Sequence, residues 1–224
     1  MENPWLNFCP KENEPKFHDL DRAHAQAFNK GLEGHQEYKL AEHLEPYPYM
    51  GNPNANVFVL LANPGINKRE TDPIYRTNSE YVNRNLKNLK HESADSFLSW
   101  VHSTDNPERE SDWLIPRIRK VVHETSLERV SIGLFLINFH AYNSKSWYPL
   151  PYTFETQRYS FHLVSEAMKR GALMIMSRNL LGWFTAIPGL YDYKNRVTFV
   201  SSRSVHISQE NLGSEAYENL LKHL

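Results

Sequence analysis

The chain of 224 residues has a single cysteine, Cys9. An intramolecular disulfide, a zinc box built on cysteine and a cysteine-held iron–sulfur cluster are excluded at once. Cys9 lies in a proline-containing N-terminal stretch, a poor place for a nucleophile. No apolar run approaches the roughly 18 residues that a membrane span needs. Met1-Glu2-Asn3-Pro4-Trp5 has neither the basic start nor the apolar core of a signal peptide, so a cytoplasmic location is expected. There is no P-loop, no G-x-G-x-x-G, no G-x-S-x-G and no H-E-x-x-H. The eleven histidines show no metal-ligand spacing, and neither a metal nor a cofactor is expected. Repeats and low-complexity segments are absent too. What remains is a chain 40% hydrophobic and 23% charged, enough apolar material for one folded domain.

Net charge is −1, which excludes a uniformly basic nucleic-acid binder. The charge is uneven. Residues 138–207 hold eight Lys/Arg against three Asp/Glu, whereas residues 1–54 hold five against nine. A basic face on a neutral protein suffices to meet phosphates, although ordinary fluctuation gives the same numbers.

Residues 57–61, Val-Phe-Val-Leu-Leu, form a β-branched and apolar run that stops at Asn63-Pro64-Gly65. Such a run reads as a buried parallel strand, and the loop beyond it is where open α/β sheets place ligands. Pro64 fixes its own φ and biases Asn63 towards extended backbone; Gly65 permits a tight turn or a close approach. The plainer reading of these residues is a simple turn.

The remaining pattern predicts one or two helices over 17–42, a loop over 46–53, strands over 56–61, 130–137, 172–176 and 196–200, and a polar loop over 66–80. Helices are predicted over 79–89, 94–102, 111–125, 156–170, 179–186 and 214–223. Strands alternating with helices predict an α/β fold: a three-layer α/β/α domain on a central, mostly parallel sheet of about four strands. Residues 1–50 are expected as a helical extension and 76–128 as a helical insertion within that one domain.

Three apolar strands end in polar clusters: Asn63-Pro64-Gly65, Asn138-Phe139-His140 and Ser204-Val205-His206-Ile207-Ser208. In a parallel sheet these ends share one edge, a plausible site. Bland alternatives stand beside each: a loop cap for Asn138, a strand-end histidine for His206, packing for the aromatic loop 147–152.

The ordered pattern resembles the uracil-DNA glycosylase superfamily. Leu61-Ala62-Asn63-Pro64-Gly65 is similar to its first motif in the Asn-Pro-Gly form of the mismatch-specific and single-strand-selective classes. Asp72-Pro73-Ile74-Tyr75 stands where the family has a base-stacking Pro-Phe loop. Leu136-Ile137-Asn138 resembles the middle strand with its base-reading Asn, and Val205-His206-Ile207-Ser208 resembles the late His-Pro-Ser. Leu61, Tyr75 and Ile207 replace the family's Gly, Phe and Pro.

The resemblance implies a monofunctional, metal-free DNA glycosylase acting on an extruded base. It implies that Asn63 orients the attacking water and that His206 donates to the base as negative charge grows. Asn138 would read the pyrimidine edge, with Tyr75 or Phe139 stacking on its face. Ser201, Ser202, Arg203, Ser204 and Ser208 are candidate phosphate contacts. The strict uracil class carries an aromatic residue where Gly65 stands, so a pocket open at C5, and a C5-modified pyrimidine substrate, are expected. Such bases occur in some phage DNA, which would give an antiviral role. DNA is the expected partner and a monomer the expected state. Two other readings stay open: an inactive nucleic-acid-binding module, and a hydrolase of free nucleosides or nucleotides.

Overall fold

The computed structural model describes residues 1–11, 14–66, 79–92, 114–201 and 204–224. Its centre is a five-stranded sheet made of β1 (Tyr49–Gly51), β2 (Val57–Leu61), β3 (Leu134–Asn138), β4 (Leu173–Met176) and β5 (Arg196–Thr198). Spatial order is β1-β3-β2-β4-β5. β3, β2, β4 and β5 run parallel, with Leu61 opposite Asn138 and Leu60 opposite Met176. β1 runs antiparallel to β3 at the edge, Tyr49 facing Ile137.

Alternation along the strands builds two cores. Phe58, Leu60, Phe135, Ile137, Met174 and Met176 turn to one face. They meet Val164 and Ala167 of α5 (Gln157–Lys169), Trp183 of α6 (Leu180–Ala186) and Leu89 of α2 (Ser79–Lys90). Val57, Val59, Leu61, Leu134, Leu136, Leu173 and Ile175 turn to the other. There they meet α3 (Ile115–Glu124), α4 (Leu127–Gly133), α7 (Gln209–Leu212) and α8 (Ser214–His223) through Ile118, Val121, Val130, Leu212 and Leu220. All five β2 residues are buried. Each such side chain contributes roughly 1.5–3 kcal/mol, which is why a strand covered on both sides shows no polar alternation. Helices on both faces of a mixed sheet are compatible with a three-layer α/β fold.

The first helix, α1 (Asp19–Gly31), forms a third cluster in which Phe17, Ala25 and Phe28 pack on Tyr142 and Phe154. Its anchor is Asp21, fully buried. One Asp21 oxygen accepts from the Tyr142 hydroxyl at 2.6 Å and the Thr156 hydroxyl at 2.5 Å, the other from the Thr156 N–H at 3.2 Å. Burial, and next the Asp21 carboxylate, raise the Tyr142 phenol well above its ordinary range. The N-terminal helix is thereby tied to the loop that follows β3.

Several sequence expectations need correction. The sheet has a fifth strand, and it is mixed. β1 lies where prolines 46, 48 and 53 predict only loop, because side-chain amides hold it: Asn85, Asn138 and Asn88 donate to the carbonyls of Pro46, Tyr47 and Tyr49. Gly51 suits its place, with φ +110° and room for no Cβ, since one would come 2.5 Å from the Leu134 carbonyl. Residues 130–133 are helical rather than strand, because Ser126 caps α4 by accepting from the Arg129 N–H. β5 stops at Thr198, two residues early, and α7 was not anticipated. Expected helix 94–102 and the first residues of 111–125 lie outside the described residues, as does most of the polar loop 66–80.

Candidate functional site

β2 is central, with β3 on one side and β4 on the other. Chain connections leaving it and β3 go opposite ways, and open α/β sheets bind ligands outside the carboxyl ends of strands at such a switch. Asn63, Asn138 and Ser177 stand at those ends, following or closing β2, β3 and β4.

Asn63 is half-buried and held by its amide nitrogen, which donates to Ser144 Oγ at 2.8 Å and to the Pro64 carbonyl at 3.1 Å. Ser144 Oγ in turn donates to the Ser146 carbonyl at 2.9 Å, and its N–H to the Pro64 carbonyl at 3.2 Å. Gly65 forms a parallel bridge with Ser144. These contacts fix the side chain with Oδ1 as its remaining polar atom, one that makes no hydrogen bond among the described residues. A fixed amide oxygen can orient a water by accepting its proton. It is too weak a base to remove that proton.

Gly65 is exposed, and among the described residues a Cβ built on it meets nothing within 4 Å, so a side chain there would have room.

Asn138 first of all clamps β1. Its backbone N–H donates to the Pro48 carbonyl at 2.7 Å and its Nδ2 to the Tyr47 carbonyl at 2.8 Å. Its Oδ1 is buried and has no hydrogen-bond partner among the described residues, and the same holds for Ser177 Oγ and Asn179 Nδ2 just beyond β4. Asn179 holds left-handed backbone (φ 52°) at the start of α6. Buried orphan polar atoms are rare and call for an explanation. Others occur elsewhere in the fold, but these three share one edge.

Phe139 is half-buried. Its ring packs edge-on against Trp183 and Trp147 and at a tilt against Phe161, with centroids 5.2, 6.1 and 5.2 Å away. It is part of the wall, which limits it as a stacking platform. Trp183 secures the β2 end, its Nε1 donating to the Leu61 carbonyl at 2.9 Å.

His140 is 2% exposed. Its ring stacks on Trp147 at 5.3 Å, and its N–H reaches the Ala62 carbonyl at 3.3 Å. Burial pushes the imidazole down to about 3, so it is neutral at ordinary pH.

His206 lies eight residues past β5, exposed, in the loop that leads to α7. No hydrogen bond or ring contact joins its imidazole to Asn63 or Asn138 among the described residues. Ser201, Ser204 and Ser208 share this loop; the Ser201 N–H donates to Asn211 Oδ1, and Asn211 Nδ2 donates to the Ser204 and His206 carbonyls. The Ile207 N–H donates to the Arg117 carbonyl at 2.9 Å. Burial and then nearby Arg178 lower the Arg117 guanidinium. Tyr75, Ser202 and Arg203 lie outside the described residues.

The structure thus brings Asn63, Gly65, Asn138 and Phe139 to one edge and leaves the His206 loop at its far side. Sequence reasoning missed Ser144 and Ser177 and gave His140 no role. Ser144 sat unremarked in an aromatic loop, whereas His140 stood within a strand-end polar cluster and was legible. Among the described residues no group of three or more His, Cys, Asp or Glu side chains could hold a metal ion, and no helix is long and apolar enough to cross a membrane. Comparison with protein-family models, curated proteins and solved structures gave no match.

Proposed function

We propose that the protein is a monofunctional DNA glycosylase that hydrolyses the N-glycosidic bond of an extruded pyrimidine and leaves an abasic site. The observation that carries the reading is Asn63. At the end of the central strand, its Nδ2 is committed to Ser144 and Pro64, and its Oδ1, unbonded among the described residues, is the atom proposed to orient the water. Glycosidic cleavage through an oxocarbenium-like transition state needs little activation of that water. Orientation suffices, and a misplacement of about 1 Å can cost about 100-fold in rate.

Asn138, one strand over and opposite Leu61, supplies a buried acceptor for an N–H on the base edge. Its Nδ2 gives one of its two N–H groups to the Tyr47 carbonyl, which fixes the orientation of the amide. His206, exposed on its loop, is the proposed donor to the departing base. Ser201, Ser204 and Ser208 of the same loop are the proposed phosphate contacts. Tyr75 remains the base-stacking residue of the proposal, because Phe139 is engaged by two tryptophans.

The room at Gly65 supports a substrate with a substituent at C5. The test is base release from labelled oligonucleotides carrying uracil, hydroxymethyluracil, hydroxymethylcytosine or glucosylated cytosine, followed by alkali. Scission by wild type and not by N63A or H206A is expected. Binding without scission on every substrate would replace this reading with that of a binding module. Release from free nucleosides alone would replace it with a nucleoside hydrolase.

A further inference from the structure

The loop following β3 holds a histidine that the reading above does not use. The His140 ring is enclosed, stacked on Trp147 at 5.3 Å and set edge-on to Phe154 at 6.4 Å. Nδ1 accepts the Tyr142 N–H at 3.3 Å. A neutral imidazole has one donor and one acceptor nitrogen, so the proton sits on Nε2. Nε2 has no hydrogen-bond partner among the described residues, although the side chain is 2% exposed. A donor with no acceptor among the described residues, in a ring held by its aromatic neighbours, is open to an acceptor carried by a ligand. The backbone places it beside the site: its own N–H bonds to the Ala62 carbonyl, one residue before Asn63. Trp147, on which it stacks, lies three residues beyond Ser144, the residue that holds Asn63.

We infer that His140 is a substrate-contacting residue, a neutral Nε2–H donor that binds a carbonyl oxygen of the ligand at the carboxyl ends of β2 and β3. This deepens the proposed function and rests on its placing of the ligand. Burial keeps the ring uncharged, so the donor recognises a neutral carbonyl without attracting phosphate or any other anion. The end of β3, two residues earlier, offers the complement, because the Asn138 atom without a partner among the described residues is an acceptor. A carbonyl towards His140 and an N–H towards Asn138 describe the –C(=O)–NH– unit of a pyrimidine edge.

The experiment reads the ring itself. Histidine-labelled protein is followed by nitrogen–proton correlation of the imidazole ring. The probes are free uracil, and an oligonucleotide with a 2′-fluoro deoxyuridine that resists hydrolysis. In the unliganded protein His140 should show the Nε2–H tautomer, and either probe should move its Nε2–H resonance downfield. H140F, which keeps an aromatic ring against Trp147, should bind the oligonucleotide about 10- to 100-fold more weakly. H140Q, which keeps an N–H donor, should recover most of that loss. A purely structural histidine would instead show an Nε2–H resonance indifferent to both probes and equal losses in the two variants, and either result overturns the inference. Base release is measured in parallel. A ring shift without base release from any substrate ends the glycosylase proposal and leaves His140 as a ligand contact. Base release with an unmoved ring removes His140 alone.

Discussion

Replacing Asp21 by alanine tests how the N-terminal helix supports the loop beyond β3. The carboxylate is fully buried and accepts three hydrogen bonds, from Tyr142 and twice from Thr156. D21A leaves the Tyr142 hydroxyl, the Thr156 hydroxyl and the Thr156 N–H without their acceptor. Hydrogen bonds to a charged group contribute about 1.5–3 kcal/mol each, and a buried donor left unpaired costs about 1–3 kcal/mol. Partial relaxation brings the net loss to about 3–5 kcal/mol, in line with other broken buried networks. For a domain of this size each kcal/mol lowers Tm by about 2–4 °C, so a fall of about 6–20 °C is expected in a thermal melt. Y142F removes one of the three donors and should cost less. Because Tyr142 and Asp21 touch, the double variant should fall short of the sum of the singles by about 1 kcal/mol or more. A D21A melt within 2 °C of wild type, or strict additivity in the cycle, would refute the view that this carboxylate anchors α1.

Other expectations are independent of that one. N63A should lower base release by about 100-fold or more with only a modest fall in Tm, because the bonds lost, to Ser144 and Pro64, are neutral ones that contribute about 0.5–1.5 kcal/mol each. G65Y should fill the room at that position, retaining release of plain uracil and losing that of C5-substituted bases; equal loss on both would refute the role given to Gly65. G51A should destabilise the protein by about 2–4 kcal/mol in urea unfolding, since φ +110° and a carbonyl at 2.5 Å both oppose a side chain. His91 and His140 are pushed down by burial, to about 4 and about 3. The unfolded chain therefore takes up protons below about 6.5 that the folded one refuses, and stability is lost as pH falls from there towards 4. By pH 5 the two rings together should have removed about 4 kcal/mol, and H91F or H140F should flatten the profile.

The parallel part of the sheet was legible because its strands are buried on both faces. Val57–Leu61 and Leu173–Met176 are uninterrupted apolar runs, and their ends fall within one residue of expectation. Residues 130–137 misled for a physical reason. Val130 is buried whether in helix or strand, and periodicity cannot separate the two in so short a run. What decides is the Ser126 cap, which starts α4 at Leu127 and so carries residues 130–133 into the helix. β1 was illegible because its stability comes from amides distant in sequence, Asn85, Asn88 and Asn138, rather than from its own residues. In the site, the strand-end position of Asn63 could be read from Pro64 and Gly65. Its partner Ser144, 81 residues away, could not. Sequence also gave no hint that Phe139 faces two tryptophans, since a strand-end aromatic reads equally as wall or as platform.

The amides that hold β1 have an effect beyond the fold of one molecule. A sheet edge with bare carbonyls and N–H groups is a template for a strand from another chain, and the usual route to aggregation. Here the Tyr49 carbonyl, turned away from β3 by the alternation of the strand, is already taken by Asn88, and the flanking Pro46 carbonyl by Asn85. A foreign strand would have to displace buried amides before it could bond. At the opposite edge β5 has three residues and begins with Arg196. Short, occupied or charged edges of this kind disfavour edge-to-edge pairing of a sheet this apolar, and swapping Asn85 and Asn88 for alanine should make itself known first as turbidity.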